Sequence, residues 1–155
     1  MKRFRRLQAL FMTMLLVLNL TGVAFANPAA ANAGEIVVLY TNDVHTHIDN
    51  EGLRYSNVAA LKQELKAAGA EVLLVDAGDH VQGTAYGSMD KGATIIKLMN
   101  ATGYDLATLG NHEFDYGMDG AMNVIQWANF PYVSANFHRE ANGTKTGSVF
   151  SFVHH

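Results

Sequence analysis

Four short apolar runs, beginning near residues 35, 71, 105 and 132, recur along this chain with helical periodicity between them. A strand, a crossover helix and the next parallel strand need a spacing of this size. Glu35–Asn42 carries the β-branched and aromatic residues Ile36, Val37, Val38 and Tyr40 and predicts a strand. Ser56 is placed to N-cap a helix over residues 57–68. Val58, Leu61, Leu65 and Ala68 share one face of that helix, and Gly69 follows as its C′ glycine. Residues 71–76 predict the second strand and residues 93–101 a helix with Ile95, Leu98 and Met99 on a stripe, closed by Gly103. A third strand is expected over 105–109, a weaker helix over 118–129 and a fourth strand over 131–135. The fold class is α/β, a parallel sheet with right-handed crossovers. No internal repeat, low-complexity tract or interdomain linker interrupts it.

The first residues are different in kind. Lys2, Arg3, Arg5 and Arg6 precede an apolar run from Leu7 to Leu20, and small residues follow up to Ala24-Phe25-Ala26. That order reads as a signal peptide over residues 1–26, with a second A-x-A site at Ala31-Asn32-Ala33. The alternative is an uncleaved anchor, but the apolar core falls short of the ~20 residues a span needs. Cleavage would leave seven Lys+Arg against fourteen Asp+Glu, a net charge of −7. An acidic exported chain with no stable membrane span after processing is a poor candidate for nucleic-acid binding through basic patches. It has no cysteine, which excludes disulfides, thiolate metal sites and a cysteine nucleophile. It also lacks the dinucleotide, P-loop and nucleophile-elbow fingerprints.

The residues just after the strands carry the chemistry. Asp43 and His45 follow the first strand, Asp79 and His80 the second, and Gly110-Asn111-His112-Glu113-Phe114-Asp115 the third. In parallel α/β sheets ligands bind beyond the carboxyl ends of the strands. Asp, Asn and His at three such ends form one oxygen- and nitrogen-lined metal site. Asp43 and His45, two apart in an extended segment, reach the same side. Asp79 lies on the middle loop and is the natural carboxylate to bridge two ions, with Asn111 offering an amide oxygen. His112 adjoins a ligand, and Asp115, three residues on, can fix its tautomer for general acid–base work. Asp76 reads as a strand-end carboxylate bonded to backbone. His80 reads either as support for a ligand or as an exposed histidine, and His47 and His138 as exposed. Residues 82–87 read as a glycine-bearing loop, Asn142-Gly143-Thr144 as a turn or a glycosylation acceptor, and His154-His155 as without a role.

Leu39-Tyr40-Thr41-Asn42-Asp43-Val44-His45, Asp76-Ala77-Gly78-Asp79 with Gln82-Gly83-Thr84, and Thr108 to Gly117 resemble successive motifs of the calcineurin-like metallophosphoesterases. More narrowly, they resemble the secreted 5′-nucleotidase, UDP-sugar hydrolase and 2′,3′-cyclic nucleotide phosphodiesterase group. Pro131-Tyr132-Val133-Ser134-Ala135-Asn136 is similar to that group's next strand. The resemblance implies the parallel-sheet half of an α/β sandwich, truncated. Residues 27–34 would be a short mature N-terminal segment, 35–137 the N-terminal part of the domain and 138–155 a divergent tail. It implies two divalent ions (Mn, Zn, Co, Fe or Mg). Asp43, His45 and the bridging Asp79 would hold one ion, Asp79 and Asn111 the other, and His112 with Asp115 would assist catalysis. The implied activity is hydrolysis of a small nucleotide or phosphate ester in nucleotide catabolism, in a secreted, periplasmic or cell-surface location. The family's further histidine ligands, in a G-H-x-H-like motif, and its nucleoside-holding domain have no counterpart in these residues. A truncated, non-catalytic fragment with an incomplete metal site and a relative of the dimanganese thiosulfohydrolases therefore stay open as alternatives.

The export reading is checked by N-terminal sequencing of material from a secreting host. The mature protein is expected to start at Asn27 or Gly34. A protein that starts at Met1 and needs detergent for extraction would favour the anchor.

Overall fold

The computed structural model describes residues 33–49, 54–135, 137–141 and 144–148. The export segment, residues 149–153 and His154-His155 lie outside them. Strand β1 (Ile36–Thr41) pairs in parallel with β2 (Glu71–Asp76) along its whole length, from Ile36 opposite Glu71 to Thr41 opposite Asp76. Strand β3 (Leu106–Ala107) pairs in parallel with the end of β2, so the sheet order is β1-β2-β3. The expected third strand is thus shorter than residues 105–109. The expected fourth strand is reduced to a parallel bridge between Ala107 and Tyr132, closed by Ala107 N–H to Pro131 O and Val133 N–H to Ala107 O.

Helix α1 (Tyr55–Ala67) begins one residue before the expected cap. Arg54 occupies the N-cap with no side-chain cap bond, so Ser56 does not play that role. Tyr55 is buried and packs edge-on against Tyr104, and its burial sets the helix start. The helix ends as predicted. Gly69 N–H bonds Lys66 O and Ala70 N–H bonds Leu65 O, and Gly69 supplies the positive φ that this stop requires. The buried stripe is Tyr55, Lys62 and Leu65, with Val58 packed against the core and Ala68 exposed.

Lys62 is a charge on that inward stripe. Its Nζ donates to Asp105 Oδ2 at 2.6 Å and to the carbonyl of Gly103, while the same carboxylate oxygen accepts Leu74 N–H at 2.7 Å. This cluster ties α1 to the β2–β3 edge.

A single helical turn, α2 (Ala85–Ser88), stands where a loop was expected, N-capped by the Thr84 hydroxyl. Helix α3 (Ala93–Thr102) buries Ile95, Ile96 and Met99 and stops at Gly103, as its spacing predicted. Helix α4 (Gly117–Trp127) ends two residues before the expected Asn129. Asn100 on α3 intercepts its last turn, donating to Trp127 O and accepting from Asn129 N–H, both at 2.8 Å. Beyond residue 137, β4 (His138–Ala141) and β5 (Thr144–Ser148) form an antiparallel hairpin where a divergent tail was expected. Asn142 and Gly143, read above as a turn or a glycosylation acceptor, lie outside the described residues.

One face of the sheet meets α1, α3 and α4 across a core of Leu74, Ile95, Ile96, Met99, Val124, Ile125 and Tyr132. The opposite face is apolar and open: Ile36 and Tyr40 are about three-quarters exposed, and Val38 and Leu73 stand between them. Parallel sheets are ordinarily covered on both faces. Among the described residues no helix is long and apolar enough to cross a membrane.

Lys62→Met removes the cation and leaves the half-buried Asp105 carboxylate without its counter-charge. The expected loss is about 1–3 kcal/mol in a urea unfolding curve, below the full cost of breaking a buried pair because the carboxylate keeps some solvent. An unchanged midpoint would show that the pair is dispensable.

Candidate metal centre

Backbone pairing between β1 and β2 continues past the strands. Ala77 N–H bonds Thr41 O, Asp43 N–H bonds Gly78 O, and His45 N–H bonds Asp79 O at 2.9 Å. The first two strand-end loops are thereby laid side by side. The second and third meet because both carry glycine at the contact. A Cβ on Gly78 would lie 2.4 Å from Gly110 N, and one on Gly110 would lie 2.2 Å from Asp79 Oδ1. Asp43, His45, Thr46 and Asp79 all have positive φ between 46° and 58°. Such left-handed conformations cost on the order of 1–2 kcal/mol each for non-glycine residues and concentrate at functional sites.

This backbone brings His45, Asp79 and His112 together. A ligand atom from each lies within 4.8 Å of the other two, and the imidazole rings of His45 and His112 meet edge to face at 4.9 Å. His45 Nδ1 faces the carbonyl of Gln82 at 3.1 Å, which makes it the donor and leaves Nε2 with its lone pair. That Nε2 is 3.5 Å from Asp43 Oδ1. Two ligands held at roughly 2.1 Å from a tetrahedral ion would be about 3.4 Å apart, so this pair fits one cation. Asp79 Oδ1 accepts His112 N–H at 2.8 Å. Asn111 is exposed, at the start of a 3₁₀ turn (His112–Phe114). It has an αR conformation, and its amide is not used as a cap. Imidazole, carboxylate and amide donors suit a divalent cation of hard or borderline character.

His112 Nδ1 faces Asp115 Oδ2 at 2.8 Å, as the i, i+3 spacing predicted. This hydrogen bond holds the imidazole above its ordinary pKa and directs Nε2 away from Asp115.

Beneath the loops lies a buried polar layer that sequence reading assigned only in part. Asp76 accepts Gly78 N–H, the expected backbone bond, and also the Thr41 hydroxyl and His80 Nδ1, the last at 2.7 Å. Tyr104 in turn meets the Thr41 hydroxyl at 2.8 Å. His80 is fully buried, which removes the exposed alternative, and its Nε2 is 2.8 Å from the Tyr132 hydroxyl. Burial opposes its charge, but the Asp76 hydrogen bond and the charges of Glu113, Asp76 and Asp79 outweigh that and raise its pKa. His47 is exposed as expected, and the side chain of His138 lies outside the description.

Glu113 is the residue sequence reading passed over. It is wholly buried and accepts four backbone N–H groups: Asp79 and His80 at 2.9 Å, Gly110 at 2.6 Å and Val81 at 3.4 Å. The available signal was a glutamate inside a motif between two site residues, with no solvent-facing pattern around it.

The sheet is parallel, and imidazole and carboxylate groups gather beyond its carboxyl edge. The Calcineurin-like phosphoesterase family matches residues 36–154, and the chain belongs to that family. It is 40% identical over 136 residues to the snake venom 5′-nucleotidase of Gloydius brevicauda, covering 79% of this chain and 23% of that one. It is 40% identical over 121 residues to the 5′-nucleotidase of Homo sapiens, covering 69% and 21%. Among solved structures, the 5′-nucleotidase precursor of Thermus thermophilus superposes with a TM-score of 0.58 at 32% identity, covering 64% and 22%. The NAD nucleotidase of Haemophilus influenzae does so at 0.57 and 30%, with the same coverage. The chain spans less than a quarter of the length of the curated relatives it matches.

Proposed function

We propose that this chain carries the first part of a dinuclear metal site that hydrolyses phosphate esters of nucleotides. The convergence of His45, Asp79 and His112 within 4.8 Å supports the reading most directly. Asp43 and His45 would hold one ion, Asn111 the other, and Asp79 both. When bound, divalent ions neutralise phosphate charge and make hydroxide available near neutral pH. The chain's own groups then position and protonate. His112, oriented by Asp115, would present Nε2–H to the leaving alkoxide, and the Asp115 hydrogen bond that orients the ring also raises its pKa. The nucleotide substrate is suggested by the 5′-nucleotidase relatives, and an exported location by the order of charged, apolar and small residues before Asn27.

A second reading of one residue has its own support. His112 falls in the same group as His45 and Asp79, so it could serve as a ligand instead of an acid. Five side chains are few for two ions that each want about four to six donors. Metal occupancy is therefore the more sensitive readout, and turnover by these residues alone is expected to be slow.

Asp79→Asn is expected to lower bound Mn²⁺ by about one to two ions per chain and to remove Mn²⁺-dependent hydrolysis of a nucleoside monophosphate, since one carboxylate serves both ions. Unchanged metal content by elemental analysis would end the bridging assignment. Metal that stays bound to the wild type without turnover would favour a non-catalytic metal-binding role.

His112→Ala separates the acid from the ligand. As an acid, its loss leaves metal content intact and lowers kcat roughly 10²–10⁴-fold. Loss of metal on the same substitution assigns it to the ligand set.

A further inference from the structure

We propose that Glu113 is the positioning residue that sets the spacing between the second and third strand-end loops, and thereby presents Asp79 and Asn111 to a common cation with His112 beside them. The inference rests on the metal-binding reading of this edge.

The two loops meet backbone to backbone at Gly78 and Gly110, where no Cβ could fit. Glu113 ties them together beside that contact. Its Oε1 accepts from His80 and Val81 and its Oε2 from Asp79 and Gly110, so each loop is anchored to one buried anion. Bonds to an ionised acceptor are roughly twice as strong as neutral ones. Asp79 N–H is held by Glu113 while Asp79 Oδ1 accepts His112 N–H. The candidate bridging carboxylate is therefore pinned at both ends by the third loop. The anion also helps to hold the left-handed backbone at Asp79, which aims its side chain towards His45.

The geometry requires a carboxylate of this length. A glutamine amide would turn an N–H₂ towards backbone N–H groups that need an acceptor. An aspartate keeps the charge but falls about one methylene, roughly 1.5 Å, short of the four donors.

The test uses the whole chain as wild type, Glu113→Gln and Glu113→Asp, with Lys62→Met as a control destabilised away from the site. Amide hydrogen exchange is followed by NMR without metal, and Mn²⁺ affinity by calorimetric titration. In Glu113→Gln, exchange at Asp79, His80, Val81 and Gly110 is expected to rise, and Mn²⁺ affinity to fall, by at least about tenfold. Amides of β1 should keep their protection, and Lys62→Met should keep both wild-type values at the site. Wild-type exchange and affinity in Glu113→Gln would overturn the proposal. So would equal losses in Lys62→Met, which would mark a merely structural effect. If circular dichroism shows Glu113→Gln to be unfolded, Glu113→Asp decides by the same criteria. A wild-type chain that takes up no Mn²⁺ would refute the functional reading alone, and the exchange comparison would still decide the role of Glu113.

Discussion

Two carboxylates, Asp76 and Glu113, are withdrawn from water at the carboxyl edge of the sheet, and the arrangement of the whole site follows from satisfying them. An ion moved to the interior costs several kcal/mol unless hydrogen bonds and opposite charge offset it. Asp76 is satisfied by Thr41, Gly78 and His80, drawn from β1, the second loop and the residues that lead out of it. Glu113 is satisfied by four amides from two loops. His80 lies between them, 2.7 Å from Asp76 and 3.6 Å from Glu113; burial lowers its pKa, and the Asp76 hydrogen bond and the neighbouring carboxylates outweigh that and raise it. Its Nδ1 faces Asp76 on one side and its Nε2 meets the Tyr132 hydroxyl on the other. A single buried layer thus connects the ends of all four extended segments.

The strained loops above that layer are its consequence. Left-handed backbone at Asp43, His45, Thr46 and Asp79 persists only where surrounding bonds over-determine it. Thr46 shows how. It is fully buried, its hydroxyl accepts Thr84 N–H at 2.7 Å, and its carbonyl accepts the Thr84 hydroxyl at 3.1 Å. The Thr84 segment in turn brings Gly83 so close to His45 O that a Cβ there would lie 2.1 Å away. Ligand-bearing side chains are therefore directed by backbone held from below, which is how a site gains geometric precision without bulky packing at its mouth.

The open sheet face carries a different lesson. Ile36, Val38, Tyr40 and Leu73 alternate with inward residues as in a strand buried on both sides, although only one side is covered among the described residues. The relatives are more than four times as long as the region matched.

Local pattern was sufficient for the elements whose information is local. Short apolar runs rich in β-branched residues marked β1 and β2, a three-to-four spacing marked α1 and α3, and Gly69 and Gly103 stopped those helices where expected. The positions of Asp43, His45, Asp79 and Asn111 beyond the strand ends were likewise legible, because a parallel sheet presents its strand ends on one edge, but Asp43 and His45 take left-handed backbone where an extended segment was expected. The i, i+3 pairing of His112 with Asp115 was legible too, since it needs only one turn of chain. The remaining features were decided by contacts between distant residues. Lys62 is buried because Asp105, 43 residues away, receives it, and Glu113 is an anchor because loops up to 34 residues away turn their amides to it. The burial of His80 depends on Asp76 and Tyr132 closing over it, and the early stop of α4 depends on Asn100 of another helix. No periodicity or propensity encodes such partners. A charged side chain reads as solvent-facing until the fold supplies the donors and counter-charges that offset its loss of water.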